Sequence, residues 1–300
     1  FMLGRTLLTL GLTALLAAPA YAGLGLLLPD RPAVDDPEKN TIEIVVGAVE
    51  PSTGQGIPIE RPQAFTALYS SGEETERSDH LSVLEEINAF GARAWRTSIV
   101  LPRPGAYHFV AQSKTGWVPE EDRFVQYLAT VQIPAYGSAE GWDRPAGLDF
   151  EIVPLSRPFG LCTGMAFTGQ ALADGKPLPG VVIDVARLDP ALKPDIREPE
   201  DPNALPDETP TGKEKAKKPE KQPMPQPISA FGDVQQVKTD SQGVFTFVCP
   251  LPGWWAFTAS RAGDPLQDPE GKQKPLEIKT IFWVYLNDCT PAKPSKKQGA

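Results

Sequence analysis

The chain has 300 residues, enough for two domains of β-sandwich size, and 41% of them are hydrophobic. It carries 29 basic and 38 acidic residues, a net charge of −9, which argues against a nucleic-acid partner and against electrostatic docking on anionic lipid. Three cysteines, Cys162, Cys249 and Cys289, allow one disulfide and leave one thiol over.

The first 22 residues have the pattern of a secretory signal peptide. Arg5 is their only charged residue, an apolar run follows over residues 7–18, and Ala20 and Ala22 place small side chains before the expected cleavage point. We therefore expect export to the periplasm of a Gram-negative cell, cleavage after Ala22, and no membrane insertion of the mature chain. The alternative is an uncleaved anchor, because residues 6–28 lack charge and a bilayer span takes roughly 20 residues.

Short apolar or alternating runs bounded by Pro, Gly and Asp follow, and they indicate β-strands. A first group predicts an N-terminal β-sandwich domain over residues 23–155. Its strands are predicted at residues 41–49, 64–69, 94–100, 106–112 and 124–133. Within it, residues 78–90 predict either one short helix or an extended acidic loop, because Leu81, Leu84 and Ile87 recur at helical spacing.

A second group predicts a C-terminal sandwich domain over residues 156–289. Its strands are predicted at residues 169–172, 181–188, 235–239, 244–249, 254–260 and 279–286. Asp240 and Gly243 predict a hairpin turn, since Asp can cap its own turn and Gly can take a positive φ. This hairpin and the turn-and-strand segment 175–185 together resemble the carboxypeptidase-regulatory-like, or transthyretin-like, sandwich. The predicted fold class is all-β, with two immunoglobulin-like β-sandwich domains in tandem.

Residues 189–227 predict one long disordered loop inserted in the second domain. They contain ten prolines and a charged run at residues 213–218, with almost no large apolar residue after Ile196. Such a stretch cannot bury enough apolar surface to order itself. We interpret it as a solvated insertion, with a docking segment for a partner as the alternative, and we expect residues 290–300 to form a flexible tail.

Catalytic motifs are missing from the sequence, so we expect a protein that is not an enzyme. It contains no G-x-S-x-G, H-E-x-x-H, C-x-x-C or phosphate-binding glycine loop. Its two histidines, His80 and His108, cannot supply a histidine-based metal site unless the fold brings them together. We expect His108, alone on a predicted strand, to be a surface residue.

Tryptophans are better candidates for contact with a ligand or partner. Trp117 and Trp142 lie in predicted loops, where they would serve as stacking platforms if the protein bound carbohydrate. Trp254 and Trp255 are adjacent on a predicted strand and therefore point to opposite faces. One of the two is expected in the core, which leaves the other, with Trp254 as the candidate, exposed or facing the second domain.

Several segments resemble the periplasmic components of cobalt/nickel transport systems, which accompany energy-coupling-factor uptake systems. The matching residues are Glu140-Gly141-Trp142-Asp143, 147–148, 151–161, 163–164, 174–178, 252–257 and Phe282-Trp283-Val284. The resemblance covers residues 23–288. It implies an exported protein that helps deliver Ni²⁺ or Co²⁺ to a membrane transporter complex.

The same resemblance implies four histidine positions, because imidazole is a natural ligand for these metals. They are the start of the mature chain, a His-Pro dipeptide, a Gly-His dipeptide, and a place after a Glu-Asp-x-Phe segment. In this chain they fall on Gly23, Glu50, Gln55 and Tyr127. The resemblance therefore implies a scaffold that has lost its metal ligands and holds no cofactor, apart from weak Ni²⁺ or Co²⁺ binding.

We expect a periplasmic binding or interaction module that contacts the metal-transporter complex or another envelope protein. One alternative is a genuine metal-delivery protein that uses oxygen ligands such as Glu50. Another is a carbohydrate-binding or adhesin-type envelope sandwich.

A disulfide is predicted between Cys249 and Cys289, with Cys162 free. Cys249 ends a strand, and the turn after it sends residues 254–260 back antiparallel. The last strand would then return level with Trp254, and therefore near Cys249, within the separation that a disulfide needs. The alternative is three unpaired, buried thiols.

Overall fold

The structure, a computed structural model, describes residues 23–50, 53–71, 74–188, 194, 196–197 and 234–289. These residues form β-strands and three single turns of 3₁₀ helix, which confirms the predicted all-β class. The predicted signal peptide, most of the predicted loop 189–227 and the predicted tail lie outside the described residues. In the described part, no helix has the length and apolar character needed to cross a membrane.

The strands, in chain order, are β1 Leu24–Pro29, β2 Thr41–Val49, β3 Ala64–Ser71, β4 Glu74–Asp79, β5 Glu85–Ala89, β6 Ala92–Val100, β7 Gly105–Gln112, β8 Gly116–Val118, β9 Arg123–Ala135, β10 Phe150–Pro154, β11 Leu161–Cys162, β12 Ala166–Ala173, β13 Lys176–Pro177, β14 Val182–Arg187, β15 Val234–Lys238, β16 Val244–Val248, β17 Gly253–Gln267 and β18 Gln273–Asn287. The 3₁₀ turns are Pro37–Lys39, Leu81–Val83 and Pro119–Glu121.

One large sheet is shared by both halves of the molecule. Its strand order is β15-β14-β17-β18-β9-β7-β3-β4, with β8 paired to β9 and β11 paired to β18. The two halves meet where β9 and β18 pair in parallel, from Leu276 opposite Phe124 to Trp283 opposite Val131. A smaller sheet, β1-β2-β6-β5, belongs to the N-terminal half, and β10, β12, β13 and β16 form another in the C-terminal half.

Two hydrophobic cores lie on opposite faces of the large sheet. Along β18, Ile281 and Trp283 enter the first core, with residues of β1 and β2, whereas Phe282 and Val284 enter the second, with β10, β12 and β16. The sequence of a strand that is buried on both faces is a continuous apolar run, and the end of β18 has such a sequence. Trp255 lies in the second core and Trp254 packs against the first, so the predicted opposite orientation is confirmed.

Strand β10 shows how the halves divide. It falls inside the range predicted for the N-terminal domain, but it pairs antiparallel with β12, from Phe150 opposite Ala173 to Pro154 opposite Gly169. The second sandwich therefore includes β10, which begins at Phe150.

The segment 78–90 forms no helix. Its middle is the 3₁₀ turn Leu81–Val83, and β5 follows as an edge strand paired with β6. In β5, Ile87 and Ala89 are buried while Glu86 and Asn88 are exposed, the period of two expected of a strand. The apolar residues that recur at helical spacing belong to different elements, Leu81 to the 3₁₀ turn and Ile87 to β5. This is why their spacing wrongly suggested one short helix.

The predicted disulfide between Cys249 and Cys289 is wrong, because the bridge joins Cys162 to Cys289 with Cα atoms 5.5 Å apart. Strand β11 runs parallel to the end of β18 and sets Cys162 opposite Asn287, two residues from Cys289. Cys249 instead follows β16, which pairs with β12 in the other sheet of the second sandwich. Its thiol is free and fully buried, and burial raises its pKa to about 12.

Candidate functional site

Gly23, Glu50 and Gln55 meet at the start of β1. Strand β1 pairs antiparallel with β2, with Leu24 opposite Val49, so the same register sets Gly23 across from Glu50. The Glu50 amide donates to the Gln55 carbonyl oxygen over 2.8 Å and closes the turn after β2. Three of the four positions expected to hold histidine are thus adjacent, and with Tyr127 we call them the N-terminal corner.

Tyr127 reaches this corner from β9, in the large sheet. It packs on Gly25 of β1, where an added Cβ would lie 2.9 Å from Tyr127 Cβ. The backbone of Tyr127 is held by Ser113, whose hydroxyl oxygen accepts from the Tyr127 amide at 2.9 Å. A glycine at position 25 is therefore what lets the aromatic ring lie against β1.

Carboxylates surround the Tyr127 phenol. Burial raises its pKa above the ordinary tyrosine range, and the negative charges of Glu121, Glu277 and Glu50 raise it further. The hydroxyl is therefore protonated at neutral pH, and in that form it is a poor metal ligand.

Two basic residues hold the carboxylates beside Tyr127. Arg123 Nε lies 3.3 Å from a Glu121 carboxylate oxygen, and Arg123 Nη1 lies 3.2 Å from Glu277 Oε2. Lys279, which is opposite Tyr127 in the parallel register, brings its Nζ to 3.7 Å from the same Glu277 oxygen. Although Glu121 is salt-bridged, its side chain is only 8% exposed, and burial raises its pKa. These ion pairs join charged groups that flank Tyr127, and they include none of the four residues of the N-terminal corner.

The residues of the N-terminal corner do not fit a nickel or cobalt ion. Gly23 has no side chain, a Cβ there would collide with Ile57 Cδ1, and Gln55 contributes a neutral amide. Arg123 lies among the nearby carboxylates and repels a cation. Within residues 23–289, as far as they are described, no three His, Cys, Asp or Glu side chains are grouped so that they could hold a metal ion.

The chain belongs to the family of the domain of unknown function DUF4198. The family matches residues 20–263, most of the sequence. No curated protein matches the chain.

Among solved structures, the chain is similar to Escherichia coli alpha-2-macroglobulin activated by porcine elastase, with 14% identity over 87% of this chain and 23% of that one, at a TM-score of 0.22. It is also similar to dimeric latent PorU from Porphyromonas gingivalis, with 9% identity over 89% of this chain and 20% of that one, at a TM-score of 0.19. The DUF4198 chain spans less than a quarter of either protein, and TM-scores this low carry no argument about fold or function.

The two histidines of this DUF4198 chain point away from each other. His80 follows β4 and lies edge-on to Phe65, whose ring stacks on Phe109 in the first core. His108 lies on the opposite face of the large sheet, edge-on to Phe282 of the second core. It is only 6% exposed, so the expected surface position is wrong. Burial, with a smaller contribution from Arg77, lowers its pKa to about 4.

Trp117 and Trp142 each have a structural contact. Trp117, on the short strand β8, packs on Phe124 with ring centroids 4.9 Å apart, and Lys274 Nζ lies 5.9 Å from its ring centroid. The carbonyl oxygen of Trp142 accepts a hydrogen bond from Gln132 Nε2 at 2.8 Å. Both tryptophans are partly buried. Neither side chain lines the two clefts, of about 310 and 510 Å³, that Trp254 borders, and their expected contact with a ligand or partner stays a prediction.

Trp254 lines open space. It is half-buried and borders two clefts, of about 310 and 510 Å³, on the side of the molecule where β18 ends. Sequence reasoning gave no role to its polar neighbours: Gln132 belongs to no motif, and Arg157 was noted only as part of the matching segment 151–161. It also missed the charged set of Glu121, Arg123, Glu277 and Lys279, whose grouping depends on the parallel pairing of β9 with β18.

Proposed function

We propose that this chain is an exported accessory protein of a metal-uptake system, related to the periplasmic components of nickel/cobalt transporters, in which the metal site has been replaced. In this proposal it does not carry Ni²⁺ or Co²⁺ itself. Its N-terminal corner lies beside a group of ion-paired carboxylates, and the protein acts as a binding or interaction module for the transporter complex or another envelope protein.

The observation that supports the proposal is the convergence of Gly23, Glu50, Gln55 and Tyr127. These positions were chosen from a sequence resemblance alone, and they are spread over about a hundred residues and three strands or turns. A mistaken alignment would scatter such positions over a molecule of this size. Their meeting at one corner favours a common ancestry with proteins that hold a metal there.

The chemistry of the corner favours loss of the metal site over substitution of its ligands. Carboxylates that bind a cation need to be free of competing positive charge, and here Arg123 and Lys279 pair with Glu121 and Glu277. If the signal peptide is cleaved after Ala22, the α-amino group of Gly23 adds another cation across from Glu50. The ion pairs beside the corner are suited to a polar protein contact.

The test restores the histidines. Gly23→His, Glu50→His, Gln55→His and Tyr127→His are combined with Ile57→Ala, because Ile57 Cδ1 occupies the space that a side chain at position 23 needs. We expect calorimetric titration to detect no submicromolar Ni²⁺ binding by the unaltered mature protein. We expect the restored variant to bind at least about a hundredfold more tightly, since imidazoles are strong ligands for this metal.

The matched control places histidines at Glu38, Glu86 and Lys176, three exposed positions that are far apart in the sequence. This control should bind Ni²⁺ no better than the unaltered protein. If the control and the restored variant bound Ni²⁺ with equal affinity, the meeting of the four positions at one corner would no longer support the proposal. Submicromolar Ni²⁺ binding by the unaltered protein would refute the proposal and favour metal delivery through oxygen ligands.

A further inference from the structure

A cleft opens where the two parallel strands that join the halves of the molecule separate. The ladder between β9 and β18 ends at Val131 and Trp283, yet β9 continues to Ala135 and β18 to Asn287. The cleft between the diverging ends measures about 310 Å³, and its lining includes Asp35, Gln132, Arg157, Trp254, Tyr285 and Asn287. This volume is at the lower end of the range for small-molecule sites in proteins.

An aromatic pair borders the cleft. Trp254 and Tyr285 are cross-strand neighbours on β17 and β18, with ring centroids 5.1 Å apart and planes inclined at 64°. The same two residues border the second cleft, of about 510 Å³, so the pair lies between two open volumes. Both side chains are half-buried, which fixes the rings and leaves part of each accessible. A rigid, partly exposed aromatic pair binds a flat apolar ligand surface at little entropic cost.

Gln132, the residue after the last position at which β9 pairs with β18, also borders the first cleft. Gln132 is only 4% exposed, and its Nε2 donates to the Trp142 carbonyl oxygen. Its Oε1 is also buried and accepts no hydrogen bond from any residue that the structure describes. Because that oxygen is buried, a ligand donor reaches it only if the amide turns towards the cleft, and pairing the acceptor is then favourable.

The charges of the cleft balance. Asp35 and Arg157 are both exposed and are the charged side chains that line it. With one charge of each sign, the cleft favours a neutral ligand over an ion. Asn287 adds a further amide, whose Nδ2 already donates to the Leu161 carbonyl oxygen at 3.0 Å.

We propose that this cleft binds a short neutral oligosaccharide, with one sugar ring against Trp254 and its hydroxyl groups hydrogen-bonded to Asp35 and Arg157, and to Gln132 once its amide turns towards the cleft. A pyranose has an apolar face that suits the indole, and hydroxyls that both donate and accept. This site goes beyond the role proposed for the N-terminal corner, because it lies at the other end of the paired strands and uses none of the same residues.

In the experiment, the purified mature protein is titrated with chitotriose, cellotriose and maltotriose, and binding is measured by tryptophan fluorescence and by calorimetry. We expect at least one of them to bind, and Trp254→Ala to weaken that binding at least about tenfold, as removal of a central aromatic anchor does. Arg157→Ala, at an exposed position, should weaken it several-fold without affecting folding. Trp117→Ala is the matched control, a half-buried tryptophan outside the cleft, and should leave the affinity unchanged.

Two results would overturn the site. One is a failure of all three sugars to bind at about 10 mM. The other is binding that Trp117→Ala weakens and that Trp254→Ala and Arg157→Ala leave intact. A proline-rich decapeptide is titrated in parallel, and its binding with dependence on Trp254, where the sugars fail, would assign the cleft to a peptide and reject the oligosaccharide. If Trp254→Ala does not fold, Arg157→Ala and Asp35→Ala decide the outcome.

Discussion

The two ends of the β9–β18 pair differ in how their polar groups are used. At the end that begins with Phe124 and Leu276, Arg123 bridges Glu121 and Glu277, and Tyr127 fills the space beside Gly25. At the end beyond Val131 and Trp283, the strands part and a cleft opens between them. One end is closed by ion pairs, and the other keeps an unpaired amide oxygen and a half-buried indole.

This difference shows where binding is to be expected in the molecule. Charged groups that neutralise one another within the protein offer little to a ligand, and separating them exposes buried charge at a high cost. Where the strands diverge, the polar groups are only partly paired: Gln132 Nε2 donates to Trp142, but Gln132 Oε1 has no hydrogen-bond partner among the described residues. Under our two proposals, the histidine positions no longer bind metal, and a ligand binds about eight residues further along the same strands.

Removing the disulfide should have the largest effect, because it anchors the cleft end of β18. The bridge Cys162–Cys289 spans 127 residues, and closing a loop of that length contributes about 4–5 kcal/mol in the chain-entropy model. We expect Cys162→Ser with Cys289→Ser to lower the free energy of unfolding in urea by most of that amount. Cys249→Ala should cost far less. If Cys249→Ala were the more damaging change, or non-reduced peptide mapping linked Cys249, the pairing would be wrong.

His108 lies opposite Gln132 behind the cleft and should make stability depend on pH. Its pKa falls from 6.5 to about 4 on folding, so the unfolded chain takes up a proton that the native protein does not. The stability that this residue contributes is present above pH 6.5 and is lost as pH falls towards 4, by about 3 kcal/mol. In His108→Leu, the loss of stability between pH 7 and pH 4 should be smaller by that amount.

The partly exposed His80 is the control for this measurement. Burial also lowers the pKa of His80, but His80 is less buried than His108. His80→Ala should therefore leave most of the pH dependence of stability in place. A pH profile for His108→Leu that coincides with that of the unaltered protein would show that His108 is not held neutral.

Gly25→Ala should disturb the closed end. Its new Cβ would lie 2.9 Å from Tyr127 Cβ, and overpacking of this kind typically costs about 1–3 kcal/mol. We expect a fall of about 2 kcal/mol in the free energy of unfolding, with the cleft unaffected. Gly116→Ala is the control, because its Cβ would meet no atom closer than 4.0 Å. Equal stability of the two variants would show that Tyr127 can move away from β1.

Arg123→Ala should have the smallest effect on stability. Its side chain is 35% exposed, so solvent screens part of the charge it leaves behind on Glu121 and Glu277. We expect a loss of about 1 kcal/mol at pH 7 that shrinks in acid, where Glu121 becomes protonated. Arg123→Lys should recover part of it. A gain in stability at pH 7 would mean that the ion pairs do not hold this end together.

Local sequence signals predicted the strands well where apolar residues define them. Strand β2 begins and ends at the predicted residues, whereas β18 begins at Gln273, six residues before its predicted start. The early part of β18 is stabilised by hairpin pairing with β17 and carries polar residues such as Lys274, which give no apolar run. The strand β1 was missed because its apolar residues follow the signal peptide without a break.

Long-range pairing was beyond the reach of the sequence. Nothing local marks the parallel register of β9 and β18, and both the charged end and the cleft depend on it. The wrong disulfide has the same cause, since the hairpin argument placed Cys249 correctly at the end of a strand but could not assign that strand to the second sheet. Trp254 was identified from its position beside Trp255. Gln132 could not be identified in this way, because its place beside the cleft depends on how the surrounding strands pair.

Hydrogen–deuterium exchange of the intact mature protein, alone and with chitotriose, cellotriose, maltotriose or Ni²⁺, tests the contrast between the two ends most directly. At least one sugar should slow exchange in peptides that cover residues 132–139 and 253–258. Ni²⁺ should leave peptides covering residues 45–57 and 121–128 unchanged, because their charged groups are already paired. Protection of these latter peptides by Ni²⁺, with none at the cleft by any sugar, would contradict the account.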